Sequence, residues 1–523
     1  MGQAMTTTYT RLYDAAQHGR SHEVQELASA CMFRGSDVRA GLALWTAARN
    51  DHASTVSALL RAGVHTRGHV LFRCTPLWIA ANGGCIETTR VLVEARADIN
   101  RAHVHTNATP AFAAAQNGDA ICLAILVEAR ADVDRPNGLG ETPAFVAARN
   151  GNTKSLEVLV GAKATVDRPN FGGHTPVYAA VRNGFADSLE VLVHAKADVD
   201  TDTVDMFFFG SPHTPTFRAA HDGNAGVLAV LLNAKADAGQ AGELAWTPAF
   251  IAAFNGHADA LKLLTTVKPD VDKATSDGWT PAAVAAQNNH AGALVVLVDA
   301  KADVDKSGSN VLTPAAAAAQ NGHADILNVL VTAGVDLEKP TNEGCTPIFI
   351  AANRNHEGCL EVLIGAKADV NKATHIGWTP VFIAAQNDSV GCLRALLDAK
   401  AGFHQANDDG CTPVFIAAQQ GSAGALELLL LAGADASLCM HGTGWSPLFV
   451  AACEGHLPVV QQLLAHMPRL AGLCSSGDHE WHGRAVLEGT SPLNTARLMN
   501  HHAIAALLAA YQREDATLLH LLH

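Results

Sequence analysis

Three short stretches of this 523-residue chain and one set of recurring tryptophans carry side chains whose types and spacing can do chemistry. In GDHEWHG, residues 477–483, His479, Glu480 and His482 supply ligand types for a divalent metal, as a metal-dependent hydrolase would need. The spacing is not H-E-x-x-H and no third ligand is fixed nearby, so a solvated loop is the simpler reading. The start Met1-Gly2-Gln3-Ala4-Met5-Thr6 fits the pattern for acylation of Gly2. No basic cluster follows, and a single acyl chain gives only reversible membrane contact. In DMFFFGSPHTP, Phe207, Phe208 and Phe209 stand among turn-forming residues. Burying one Phe is worth roughly 1.5–3 kcal/mol, so three exposed rings are costly. They either fold back over a neighbouring hairpin or anchor a partner or a lipid surface. Finally, Trp246, Trp279, Trp378 and Trp445 each precede Thr-Pro or Ser-Pro. A large rigid ring is typical of binding hot spots, and the alternative is a cover over the adjacent hairpin.

What positions these residues is an internal repeat. Thr-Pro recurs at Thr75, Thr109, Thr142, Thr175, Thr214, Thr247, Thr280, Thr313, Thr346, Thr379 and Thr412, mostly 33 residues apart. Ser446 and Ser491 continue the series, and Leu42 and Thr10 extend it backwards, giving fifteen units. Five residues after each start is Ala, and seventeen after is Leu. In the unit 141–173, Thr142 can cap a helix whose first turn takes Pro143. Asn150-Gly151 ends that helix. A second helix carries Leu156, Leu159 and Val160, and the segment to Gly173 forms a hairpin-like excursion. Neither helix is long enough to stand alone in water, so each unit must bury its face on its neighbours.

This pattern resembles the ankyrin repeat, with its T-P-L-H-x-A signature, over nearly the whole chain. The resemblance implies an all-α solenoid of helix-turn-helix units with projecting β-hairpin loops. It also implies protein binding through a concave groove and the hairpin tips. The departure is at the His of the signature, where most units hold an aromatic such as Phe145, Tyr178 or Phe382, and two hold Ala283 and Ala316. An aromatic ladder inside the stack follows, thinned and softened at the two alanines. In ankyrin-like proteins the residue before Thr-Pro and the two after the Ala pair line the groove. The latter include Gln287, Gln320 and Gln386, each followed by Asn, either groove-facing or helix-capping, while Arg149, Arg182 and Arg218 make earlier units basic.

Where the family usually places Gly at the end of the second helix, this chain has cations from Arg96 to Lys400, with acidic residues following as in Lys301, Asp303 and Asp305. These read as a left-handed, self-neutralising ladder. His52, His257, His290, His323, His356 and His456 share an inter-helix turn position and Cys122, Cys359 and Cys392 a packing position.

The organisation expected is an extension at 1–9, a capping repeat at 10–41 and twelve repeats at 42–445. A repeat with a long insertion at about 466–489 fills 446–490, and 491–523 is a capping repeat with a helical tail. A net charge of −14 argues against nucleic acid as main partner. Eleven cysteines without a CxxC pair, and no long apolar run, suggest a reducing, cytoplasmic setting, with the nucleus also open. Too little chain lies outside the repeats for a catalytic domain, so the expectation is a scaffold or adaptor without a cofactor, binding one or more proteins.

Overall fold

The computed structural model describes residues 2–30, 38–66, 73–204, 212–242, 244–308, 311–440, 443–472, 475, 479–481 and 484–521. It is all-α apart from two short antiparallel ladders, Thr203–Val204 with Pro212–His213 and His479–Trp481 with Arg484–Val486. The chain forms two compact units. One comprises Met1–Ala252 with Asp259–Pro269, the other Ala253–Ala258 with Asp270–His523.

Each repeat is built as its residues dictate. Thr142 is extended (φ −85°, ψ 164°), and its hydroxyl accepts the Phe145 N–H at 3.1 Å, capping the helix Pro143–Asn150. Gly151 ends that helix at φ 72°, a left-handed turn that disfavours a side chain, and the second helix Thr153–Gly161 follows. Lys163 then takes φ 61°, and Arg96, Arg130, Lys196, Lys301, Lys367 and Lys400 do likewise in their own repeats, as expected. The helix Pro143–Asn150 packs between Pro110–Asn117 and Pro176–Asn183, and Thr153–Gly161 between Ala120–Glu128 and Ala186–His194. Ala147, Leu156 and Leu159 are fully buried there. In the second unit, Ala351, Leu360 and Leu363 repeat that core.

The loops differ from the hairpins expected. The short arms leave no room for ladders, so loops close as tight turns, as where Asn137 N–H meets the Glu141 carbonyl at 2.9 Å and Gly140 N–H the Asn137 carbonyl at 3.1 Å. Their remaining donors reach the preceding loop instead: Gly138 N–H meets the Thr106 carbonyl (2.7 Å) and Phe171 N–H the Leu139 carbonyl (3.1 Å). Side chains tie the loops in the same direction. Asp303 accepts the Asp305 N–H at 2.9 Å, and Asp305 accepts the Asp336 N–H at 3.0 Å. Asp134 and Asp167 do the same for Thr165 and Asp198. These carboxylates hold backbone rather than neutralising lysines, and among the described residues the left-handed cations form no ion pair, which corrects the self-neutralising reading. A peptide N–H close to a carboxylate is a charge-assisted bond that orders the loop, whereas an exposed Lys loses side-chain entropy when pinned.

Candidate protein-interaction surface

The face available to a partner is set by the first helices and the loops before them. At its base lie buried aromatic rings: Phe112, Phe145, Tyr178 and Phe217 in the first unit, Phe382 and Phe449 in the second. The residue before Thr-Pro lies one helical turn from that ring and covers it. His174 stacks on Tyr178 with centroids 5.1 Å apart, and His213 on Phe217 at 4.3 Å. Trp378 lies 5.5 Å from Phe382 and Trp246 lies 5.2 Å from Phe250. Trp445 lies 5.5 Å from Phe449 and is only 3% exposed, so it has almost no surface to offer a partner. Trp246, Trp279 and Trp378 are half-buried, one side covered and the other reachable. Trp279 precedes the repeat of Ala283 and has no ring of its own repeat beneath it.

The glutamines behave less uniformly. Gln287 is exposed and its backbone carbonyl accepts from the His323 ring at 3.0 Å. The Gln320 carbonyl takes the same bond from His356 at 3.1 Å, while its side chain lines a cleft. Gln386 accepts the Ser422 hydroxyl on its carbonyl at 3.1 Å, and its buried side-chain Oε1 has no partner among the described residues. The Asn that follows works between repeats in some units, where Asn117 donates to the Asn82 carbonyl at 2.6 Å, Asn288 to Phe254 at 3.0 Å and Asn387 to Asn353 at 3.0 Å, whereas Asn321 donates within its own helix to the Ala317 carbonyl at 2.9 Å.

The basic lining expected of the earlier units is largely consumed internally. Arg149 pairs with Glu141 and sits over the Phe145 ring at 5.9 Å. Arg218 pairs with Asp222 at 2.7 Å. Burial alone would raise the Asp222 carboxyl, but hydrogen bonds from His221 and Arg218 outweigh it and hold the group below the usual range. The cysteines are packing residues by position and by chemistry. Burial pushes the Cys122 thiol up and those of Cys359 and Cys392 to about 11, which removes the reactive thiolate at neutral pH.

Two features were not anticipated from sequence. In the first unit Val104, Leu139 and Phe171 stand at the tips of consecutive loops, 70%, 64% and 81% exposed. Only the loop-to-loop bonds, set by residues about 33 apart, place them side by side. In the second unit a cleft of about 370 Å³ opens beside Leu312, Gln320, Cys345 and Phe349. Its signal was in the sequence, as Leu312 and Cys345 where neighbouring repeats carry Trp.

The remaining candidates are quickly placed. Phe207, Phe208 and Phe209 lie outside the described residues, as does His482. His479 and Glu480 fall in the strand His479–Trp481, and among the described residues no group of three His, Cys, Asp or Glu could hold a metal ion. Gly2 is the first residue of the helix Gly2–Gln17. No helix among the described residues is long and apolar enough to cross a membrane.

Fold and surface together define a helix-turn-helix repeat protein whose first helices carry a buried aromatic ladder. A family model described as ankyrin repeats (3 copies) matches residues 12–103, 111–203, 216–308, 296–374, 359–439 and 415–520. The chain therefore belongs to the ankyrin-repeat family, whose repeats are generally protein-protein interaction modules. Among solved structures it is similar to the crystal structure of the human ASB11 ankyrin repeat domain. That match has 22% identity and a TM-score of 0.39, and covers 43% of this chain and 99% of that one. No curated protein matches it.

Proposed function

We propose that the chain is a non-catalytic scaffold or adaptor that holds partner proteins against its first helices and loop tips. The observation that supports this most directly is the contrast along that face. The caps, inter-repeat bonds and core recur from unit to unit, while the reachable side chains vary and include Trp246, Trp279 and Trp378 with one side uncovered. Large rings in that half-buried state are where truncation typically costs most in an interface. The exposed row of Val104, Leu139 and Phe171 supports a second contact on the loop tips, because contiguous apolar surface on a folded protein marks interaction sites. Phe207 to Phe209 follow in the next loop of the sequence and extend that row in composition. Nearly all of the chain is taken up by the repeats, which supports binding rather than catalysis.

Affinity capture tests the reading. Wild-type chain is compared with Trp246→Ser/Trp279→Ser/Trp378→Ser and with Leu139→Ser/Phe171→Ser, each checked for helical content. Loss of specific partners by either variant is expected. Identical capture by both variants and wild type would remove this face from consideration.

A further inference from the structure

Three consecutive loops of the first unit differ from those of the second in charge and in apolar exposure together. Val104, Leu139 and Phe171 project from their tips, and backbone bonds tie tip to tip, with Phe171 N–H on the Leu139 carbonyl at 3.1 Å. The loops are closely apposed there: a Cβ on Gly140 (φ 79°) would come within 2.8 Å of the Phe171 nitrogen. Over residues 101–108, 135–141 and 168–174 no carboxylate is exposed, since Glu141 is buried and paired with Arg149. Loops of the second unit expose Asp277, Glu343, Asp408 and Asp409, and the exposed Ile376 lies between the loops of Glu343 and Asp408.

A second file runs along the arms of the same loops. Arg101, Arg135 and Arg168 are exposed and form no ion pair among the described residues. Arg135 donates one N–H to the Asn100 carbonyl (3.3 Å) and Arg168 one to the Asp134 carbonyl (3.4 Å), each on the preceding loop. A guanidinium has five N–H donors, so the others remain available. The carboxylates next to these arginines hold backbone of the following loop, Asp134 the Thr165 N–H (2.7 Å) and Asp167 the Asp198 N–H (2.8 Å). In the second unit the same place holds Lys273, Lys306, Lys339 and Lys372, and Lys339 makes the same bond, to the Asp305 carbonyl at 2.6 Å. Lysine therefore suffices for the fold. What arginine adds is a planar fork that takes a carboxylate with two N–H groups at once.

We infer, resting on the scaffold reading, that this flank binds an extended segment of a partner protein in which apolar residues alternate with Asp or Glu. Its apolar side chains cover Leu139 and Phe171, and its carboxylates meet Arg135 and Arg168. An extended chain lying between the two files reaches both, because its successive side chains point to opposite sides. A flat lipid surface resting on the tips would meet the apolar file, while Arg135 and Arg168 are held back against the preceding loop. In a chain of net charge −14, three neighbouring arginines with no exposed carboxylate on their loop tips select an acidic partner.

Fluorescence anisotropy on the purified full-length chain tests it with fluorescein-labelled Gly-Asp-Leu-Asp-Leu-Asp-Leu-Asp-Gly, its Lys-for-Asp analogue and its Ser-for-Leu analogue. The Asp-Leu peptide is expected to bind, and both analogues to bind about tenfold more weakly or less. Arg135→Gln/Arg168→Gln and Leu139→Ser/Phe171→Ser should each weaken the Asp-Leu peptide about tenfold. Arg135→Lys/Arg168→Lys, which keeps the charge and a side chain the second unit tolerates, should weaken it about threefold. No binding of that peptide by wild type, equal binding of its Lys analogue, or affinity unchanged in both the Gln and the Ser variants overturns the inference. So does sedimentation of wild type with phosphatidylserine vesicles through the same residues while the peptide stays unbound, which assigns the flank to a lipid surface. If circular dichroism shows the Gln or Ser variant misfolded, the Lys variant decides: affinity equal to wild type overturns it. Partner capture through Trp246, Trp279 and Trp378 can persist in either case, so failure here is distinguishable from failure of the scaffold reading.

Discussion

The repeat that begins at Thr142 and the one that begins at Thr346 share core spacing and a nine-residue second helix but satisfy themselves to different degrees. In the first, Thr142 caps its helix, Glu141 holds Arg149, Arg149 covers Phe145, and Asn150 bonds to the Gln116 carbonyl at 2.8 Å. In the second, Thr346 caps nothing, Cys345 supplies no ring to stack on the buried Phe349, and Arg354 has no counter-ion among the described residues. The scaffold positions are equally filled in both. What differs is the polar surface, and a surface that leaves its own polar groups unpaired has them free for another molecule.

Deep in the core this contrast should vanish. Leu159→Ala and Leu363→Ala each remove a fully buried side chain and should each cost about 2–5 kcal/mol, read as lost amide-exchange protection in their own helices. Unequal losses would break the premise of a shared scaffold. The arginines should separate the two repeats. Arg149→Gln strands the buried Glu141 carboxylate, and because Arg149 is itself one-third exposed the cost should be about 1–3 kcal/mol. Arg354→Gln should stay within about 0.5 kcal/mol, since no internal partner is lost. Both are read from chemical denaturation, and equal costs would show that Arg354 has a structural partner after all.

Smaller effects sharpen the contrast. Thr142→Ala should cost about 1 kcal/mol by removing a cap, while Thr346→Ala should be neutral or slightly stabilising because its buried hydroxyl is unsatisfied. Local exchange at Phe145 and Phe349 reports both. At neutral pH the smallest effect belongs to the cysteines. Ser155 and Ser188 occupy in the first region the position of Cys359 and Cys392 in the second. Burial raises those two thiols to about 11, whereas an unfolded thiol ionises near 8.5. Their contribution is therefore complete below about pH 8.5 and is lost as pH rises towards 11. Melting the chain between pH 7 and 10.5 should show an alkaline decline that flattens in Cys359→Ala/Cys392→Ala, and an unchanged profile would locate the alkaline sensitivity elsewhere.

Much of the fold was legible in the chain. Thr-Pro starts, the Ala and Leu registrations and the left-handed cations each report a conformation governed by residues within one turn, so they read true repeat by repeat. The inter-helix histidines were legible as structural, and His290, His323, His356 and His456 do bridge to the preceding repeat's carbonyls. The carboxylate bonds between loops were not legible, since Asp305 and the Asp336 N–H it holds are 31 residues apart. Nor was the pairing of Arg149 with Glu141, eight residues away across a helix start. The tryptophans were found by position, but position could not say that Trp445 is sealed while Trp378 keeps a free side.

The sequence by itself determined the repeat, its helix boundaries and its core, because those depend on short-range backbone preferences and on a hydrophobic pattern that recurs every 33 residues. The tertiary structure alone decided which side chains the neighbouring repeat uses up and which remain for a partner. A hydrogen bond or stacked ring between repeats depends on distances of a few tenths of an ångström between groups some thirty residues apart, and nothing local in the chain encodes those distances.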